Sequence, residues 1–287
     1  MAVRDAFSPF DPLLRGPLTD PWAHARGERP RYRPDYALLG QLLTVPVTAN
    51  AVSESGSFAG GVDAWVAQEL RRAGFGADEV WPRSARPRVL PRDIAVLLDK
   101  VPAALRSELL ARLPNLAAVA PVSARVLGRA YEKQVDVLIS RWDRGPEVLI
   151  STKAQLSSFG KNLPNRFEES YGDAANLRGR YPLAAIGFFF VQRATILDTE
   201  PDAFERSVDM IHKLRRSGSV DGYTATALLL VDWEEDGFVS ARPDLVPEEV
   251  RPDRFFTEIV DHVLAVTPVT YHVRVRELRQ RRVIAVQ

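Results

Sequence analysis

Two nearly uninterrupted apolar runs, residues 183–191 (L-A-A-I-G-F-F-F-V) and 223–231 (Y-T-A-T-A-L-L-L-V), restrict the folds open to this chain more than any other feature. Neither approaches the ~18 apolar residues of a membrane span. Neither alternates as a half-buried strand would. Such runs read as strands inside a sheet covered on both faces, the setting in which parallel strands are found. The segment between them supplies a cover: residues 201–216 place Phe204, Val208, Ile211 and Leu214 on one helical stripe. A further helix is expected over 254–266. Strands alternating with amphipathic helices imply an α/β fold with a mixed central sheet flanked by helices.

Upstream lies E-K-Q-V-D-V-L-I-S-R-W-D-R-G-P-E-V-L-I-S-T-K-A-Q, residues 132–155. Two β-rich runs flank the turn signal Asp143-Arg144-Gly145-Pro146, which predicts a hairpin. With Arg144 and Gly145 at the turn centre, Asp136 faces Lys153 and Leu138 faces Ser151. Opposed residues share a sheet face at roughly 5 Å. Ser151, Lys153 and Gln155 then share that face by the two-residue repeat of a strand. A cross-strand ion pair is the ordinary reading of Asp136 and Lys153. It contributes only about 0.2–1 kcal/mol, and desolvation offsets much of that.

An acid on one strand, a hairpin, and a lysine on the next strand resemble the PD-(D/E)XK nuclease superfamily, which includes many restriction endonucleases. The first half of the motif is Val135-Asp136, without its proline. The second is Ser151-Thr152-Lys153, with Ser151 where the family has an acid. Some members carry that acid on the following helix, where this chain has Glu168 and Glu169. The resemblance covers roughly residues 120–195. It implies a restriction endonuclease-like core, Mg²⁺ as cofactor with Mn²⁺ as substitute, and hydrolysis of phosphodiester bonds in DNA. It assigns Asp136 as the anchoring metal ligand, with the Thr152 backbone carbonyl and Glu168 beside it. Lys153 would act on the attacking water or the scissile phosphate, and Gln155 would face the same site.

Several residues carry two readings. Glu168 is either the displaced ligand or the capping-box partner of an Asn165 N-cap. Glu132, at the end of a helix expected over 121–132, is either a further ligand or a surface acid paired with an arginine. Lys161, Asn162, Arg166, Arg178 and Arg180 follow the hairpin, and suit phosphates or base edges as well as a solvated helix face. Arg83, Arg86, Arg88 and Arg92 lie beside Trp81 on a proline-rich stretch that suits phosphate contact and stacking. That stretch also reads as a plain connection.

The remaining chain divides by composition. Residues 1–35 form a Pro/Arg-rich arm, mobile or wrapped on the body. Residues 36–115 read as a helical module, with helices at 36–43, 62–73 and, broken at Pro102, 93–113; the Gly/Ser-rich stretch 51–61 reads as a loop. Residues 116–287 form the nuclease-like core. It ends in a basic edge strand at 270–276, where Tyr271, Val273 and Val275 alternate with His272, Arg274 and Arg276.

Composition adds limits. The net charge is +1, so a nucleic-acid surface must be a local patch. Of 38 basic residues, lysines occur only at positions 100, 133, 153, 161 and 213. There is no cysteine, hence no disulfide framework, which fits a reducing cytoplasm. The four histidines have no zinc-type spacing. The expected function is a Mg²⁺-dependent DNA endonuclease of restriction type in prokaryotic defence. It would act on double-stranded DNA as a homodimer, with a methyltransferase or other defence subunits as partners and no membrane. The alternative is a nuclease-fold DNA-binding subunit that has lost catalysis.

Overall fold

The computed structural model describes residues 5–50, 56–161, 163–215 and 222–281. Two short strands, β1 (Trp22–Ala23) and β2 (Arg31–Tyr32), pair within the N-terminal arm. Helices α1 (Tyr36–Thr48) and α2 (Ser57–Arg72) follow, then strand β3 (Val80–Trp81) and helices α3 (Arg92–Lys100) and α4 (Ala103–Arg112). Next come a small hairpin, β4 (Arg125–Leu127) and β5 (Glu132–Gln134), and the main hairpin, β6 (Val137–Arg141) and β7 (Gly145–Gln155). The chain continues through α5 (Leu163–Arg178), β8 (Ala185–Arg193), α6 (Ile196–Thr199), α7 (Pro201–Leu214) and β9 (Ala225–Trp233). It closes with β10 (Val239–Arg242), α8 (Pro252–Val266) and α9 (Val273–Gln280). Among the described residues no helix is long and apolar enough to cross a membrane.

The fold is α/β. Six strands form one mixed sheet in the order β10-β9-β8-β7-β6-β3. β7, β8 and β9 run parallel, while β3, β6 and β10 join antiparallel. The apolar runs lie at its centre, and their alternate residues enter two cores. Phe189 and Val191 pack with Trp65 of α2 and Phe255, Phe256 and Ile259 of α8. Phe188 and Phe190 pack with Phe167 of α5 and Ile211 of α7. Both faces are dry, so the sequence has no polar alternation there.

The N-terminal arm is wrapped on the body: Phe10, Trp22 and Tyr32 are buried in the α2/α8 core. The expected helical module divides between two packings. Helices α1 and α2 belong to the core that covers the sheet, whereas α3 and α4 have their own small cluster around Leu90, Leu98 and Leu113. Of the Gly/Ser-rich stretch expected as a loop, residues 51–55 lie outside the described residues, and Ser57 onward is already helix.

Three local expectations are corrected. Residues 121–132 form no helix; they enter the β4–β5 hairpin, whose turn passes Gly128 so close to α5 that a Cβ there would collide with the side-chain amide of Asn176. The 270–276 segment is not an edge strand: α9 begins at Val273, and its buried Val275 and half-buried Leu278 stand one helical turn apart on the core. Its basic face is not free either, because buried Arg276 donates to the carbonyls of Leu264 and Thr267 at the end of α8 at 2.9 and 2.8 Å. Helix α5 starts at Leu163, so Asn165 sits inside its first turn and cannot be the N-cap.

The main hairpin forms with a shifted register. Val137 pairs with Ile150 and Leu138 with Leu149, and an irregularity between Ile139 and Ser140 precedes the turn. The expected pairing was displaced by two residues, an even number, so each side chain keeps its expected face. The sheet centre permits little extra volume. A Cβ at Gly187 would stand 2.8 Å from Phe255 Cζ and 3.0 Å from Ile150 Cγ1. Gly187→Ala is therefore expected to lower stability by about 1–3 kcal/mol through overpacking, read as a lower denaturation midpoint at unchanged m-value.

Candidate active site

The site forms where the β6–β7 ladder stops. Its last paired residues are Val137 and Ile150, while β7 runs on to Gln155 with β8 on one side only. Asp136, the residue before β6, takes over with its side chain: Oδ2 accepts the Thr152 backbone N–H at 2.9 Å. The Thr152 side chain points to the α2/α8 face, as Val148 and Ile150 do. Its hydroxyl donates to Oδ1 of Asp63 on α2. Lys153 points to the opposite face, half-buried, and its charge acts on both carboxylates. The open edge of β7 thus brings an acid of α2 and an acid from the chain before β6 onto Thr152, within reach of the charge of Lys153, the next residue of the strand.

Asp63 is the residue of this candidate site that sequence reasoning missed. One signal was available: residues 56–68 (G-S-F-A-G-G-V-D-A-W-V-A-Q) carry a single charge. An acid one residue from the apolar stripe of a buried helix is costly without a role. Placing it opposite Thr152 required a long-range contact that no local pattern encodes.

The electrostatics are those of two acids sharing a confined space. Burial pushes the Asp63 carboxyl well above the usual carboxylate range, and the Asp136 charge adds to this; the Thr152 hydroxyl and Lys153 oppose it. Burial also raises Asp136, against the Thr152 amide, Lys153 and Lys133. Behind Asp136 stands a second polar group on α5. Asp173, buried, pairs with Lys133 of β5 and accepts the Tyr131 hydroxyl at 3.1 Å.

Other expected site residues lie elsewhere. Gln155 is buried; its amide donates to the carbonyls of Ser158 and Phe159 at 2.9 and 3.0 Å, so it anchors the β7–α5 loop. Glu168 and Glu169 are exposed, because the buried stripe of α5 runs through Phe167, Ser170, Ala174 and Leu177. The acid of α5 that acts on Asp136 is Asp173. Glu132 is exposed and paired with Arg125 at 3.3 Å, the surface reading.

The expected DNA-contacting arginines separate in the same way. Arg83 is buried against Asp78 at 2.6 Å, and Arg88 bridges Asp5 and Asp11 at 2.8 Å. These two bind the N-terminal arm and the local loop rather than facing solvent. Arg86 also pairs with Asp5, at 2.7 Å, although it is 63% exposed. Arg178 donates to the Ala184 carbonyl at 2.7 Å and Thr224 Oγ1 at 2.8 Å, tying α5 to the starts of β8 and β9. Lys161 and Arg180 are exposed and Arg166 half-buried; Asn162 lies outside the described residues.

Among the described residues no three acidic or imidazole side chains converge as a metal cage. The donors available are two carboxylates and the oxygens of Thr152. Mg²⁺ suits such a set, since it is bound through one or two carboxylates and keeps waters or phosphate oxygens for the rest. Among the described residues, Asp63 Oδ2 and Asp136 Oδ1 have no hydrogen bond, leaving one carboxylate oxygen on each for a cation. No protein-family model, curated protein or solved structure matches the chain.

The raised carboxyls have a pH consequence. A group whose pKa is raised on folding contributes stability below its unfolded value and loses it as pH rises through the folded value. Without metal, wild type should therefore pay for ionising Asp63 and Asp136 at neutral pH. Asp63→Asn should melt above wild type at pH 8, by on the order of 2–4 °C per kcal/mol relieved, and the gap should close toward pH 4. Mg²⁺ should raise the wild-type melting temperature and leave that of the variant nearly unmoved. Thermal melts across pH, with and without Mg²⁺, check both.

Proposed function

We propose that this chain is a metal-dependent nuclease that hydrolyses phosphodiester bonds in DNA. One observation carries the reading: Asp63 and Asp136 converge on Thr152, and Lys153, the next residue along β7, acts on both. The site also lies at the carboxyl end of a parallel strand, where ligands collect in open α/β sheets. A divalent cation held there would neutralise phosphate charge and make a bound water a better nucleophile.

The chain's own residues divide the remaining work. Asp63 and Asp136 hold the cation and prefer it bound, since it offsets the cost of ionising two neighbouring acids. Thr152 fixes both carboxylates through its N–H and its hydroxyl, so neither must be reoriented on binding. Lys153 supplies a compact positive charge from the other face, suited to the extra charge of a pentacoordinate phosphorus. In this role Asp63 replaces the acid that Ser151 lacks, and Glu168 is not needed. Prokaryotic defence against foreign DNA is the biological setting we favour.

Cleavage of supercoiled plasmid and of a single-stranded circle, with Mg²⁺, Mn²⁺ or EDTA, tests the reading. Cutting is expected with either metal and not with EDTA. Asp63→Ala, Asp136→Ala and Lys153→Ala should each reduce the rate by ~10²–10⁴-fold, while Glu168→Ala stays near wild type. Loss in Glu168→Ala with activity kept in Asp63→Ala would overturn the assignment. Salt-sensitive DNA binding without any cutting would instead favour a non-catalytic DNA-binding subunit.

A further inference from the structure

Tyr131 is exposed and rigid at once. Its residue is 45% exposed, in the turn between β4 and β5. The backbone beneath it is clamped by one buried side chain: Asn176 Oδ1 accepts the N–H groups of Ala130 and Tyr131 at 2.8 and 3.2 Å, and its Nδ2 donates to the Tyr131 carbonyl at 3.0 Å. The far end of the ring is held as well, since the hydroxyl donates to Asp173 Oδ1 at 3.1 Å. Asp173 pairs with Lys133, and the charges of both act on Asp136. A turn in need of an ordinary surface residue does not require three hydrogen bonds from a buried asparagine and a fourth at the hydroxyl. The arrangement holds a partly exposed aromatic ring on a fixed turn, linked through Asp173 and Lys133 to the surroundings of Asp136.

We infer that the Tyr131 ring is a stacking platform for a nucleobase next to the scissile phosphate, so that the preferred DNA has a base with a free face there: single-stranded, gapped or locally unstacked. Bases inside an intact duplex have both faces occupied and cannot stack on a surface ring without leaving the helix. A stacked base gains affinity without sequence preference, because every base has a π-face. Little ordering is left for binding, since the ring is already held at both ends. Exposed Arg129, on the same hairpin, is placed for a flanking phosphate, while Lys133 is held by Asp173. This inference rests on the nuclease reading and narrows its substrate.

The test is binding of a 2-aminopurine-labelled single-stranded oligonucleotide and its duplex, with Ca²⁺ in place of Mg²⁺, by wild type and by the Tyr131→Ala, Tyr131→Leu, Tyr131→Phe and Tyr131→Trp variants. Wild type should bind the single strand more tightly and change its fluorescence. Tyr131→Ala and Tyr131→Leu should lose roughly 5- to 150-fold in affinity, the range of one aromatic stack, and lose the preference over duplex. Tyr131→Phe and Tyr131→Trp should keep both. Leucine retains apolar bulk without a π-face, which separates stacking from support of the fold if the alanine variant is unstable. Equal binding by Tyr131→Leu and wild type, or equal losses in Tyr131→Phe and Tyr131→Leu, would overturn the platform while leaving the nuclease reading intact. Failure of wild type to bind or cut any DNA would remove both.

Discussion

Thr152 holds the site together. Its N–H is the donor left over when the β6–β7 ladder ends at Val137 and Ile150, and a buried N–H must find an acceptor. Asp136 provides one from the chain just before β6. The Thr152 hydroxyl, on the other side of the same backbone, engages Asp63. One residue in a strand therefore fixes two carboxylates from elements 73 positions apart in sequence. Lengthening β6 by a single antiparallel step would satisfy the ladder and displace Asp136. The early end of β6 is thus what creates the site.

Holding two acids that close is unfavourable for the fold. Burial and mutual repulsion both disfavour ionisation, and Lys153 and Lys133 offset this only in part. A structural ion pair would place one acid against one base; here two acids share their surroundings with a lysine bonded to neither. Replacing buried charge by apolar groups is often neutral or stabilising. Perturbed carboxyls of this kind cluster at functional sites, which is why the proposed chemistry is placed at this end of the sheet.

What the sequence made legible follows the range of the forces concerned. Periodicity located β8, β9, α7 and α8 because burial on a sheet acts residue by residue. Asp136 does not stand opposite Lys153, but the register differs from the expected one by two residues and faces repeat every two, so Lys153 keeps its expected face. The β4–β5 hairpin was misread as a helix because its turn is set by contact with Asn176, some 45 residues away. The false strand at 270–276 arose because a short alternation also fits a helix whose anchors are Val275 and Leu278. Arg83 and Arg88 read from sequence as available for phosphate because their acids, Asp78, Asp5 and Asp11, cannot be assigned from composition. Asp63 was hidden for the same reason: its value depends on Thr152, and only the packing of α2 on β7 brings them together.

That packing ties the site to the start of the chain. The rotation of α2 about its axis decides whether Asp63 meets Thr152, and the N-terminal arm helps to set it. Tyr32 donates its hydroxyl to the Glu69 carbonyl at 2.7 Å, and the Trp65 indole donates to the Asp35 carbonyl at 2.9 Å. Glu69, fully buried, accepts the Asp35 N–H at 3.1 Å and pairs with Arg72 at 2.6 Å. These contacts lie within three turns of Asp63 on the same rigid helix. The arm that composition describes only as Pro/Arg-rich therefore belongs to the machinery that positions an acid it never touches. Loosening it would act on the site through the angle of α2, while leaving Asp136 and Lys153 in place on their strands.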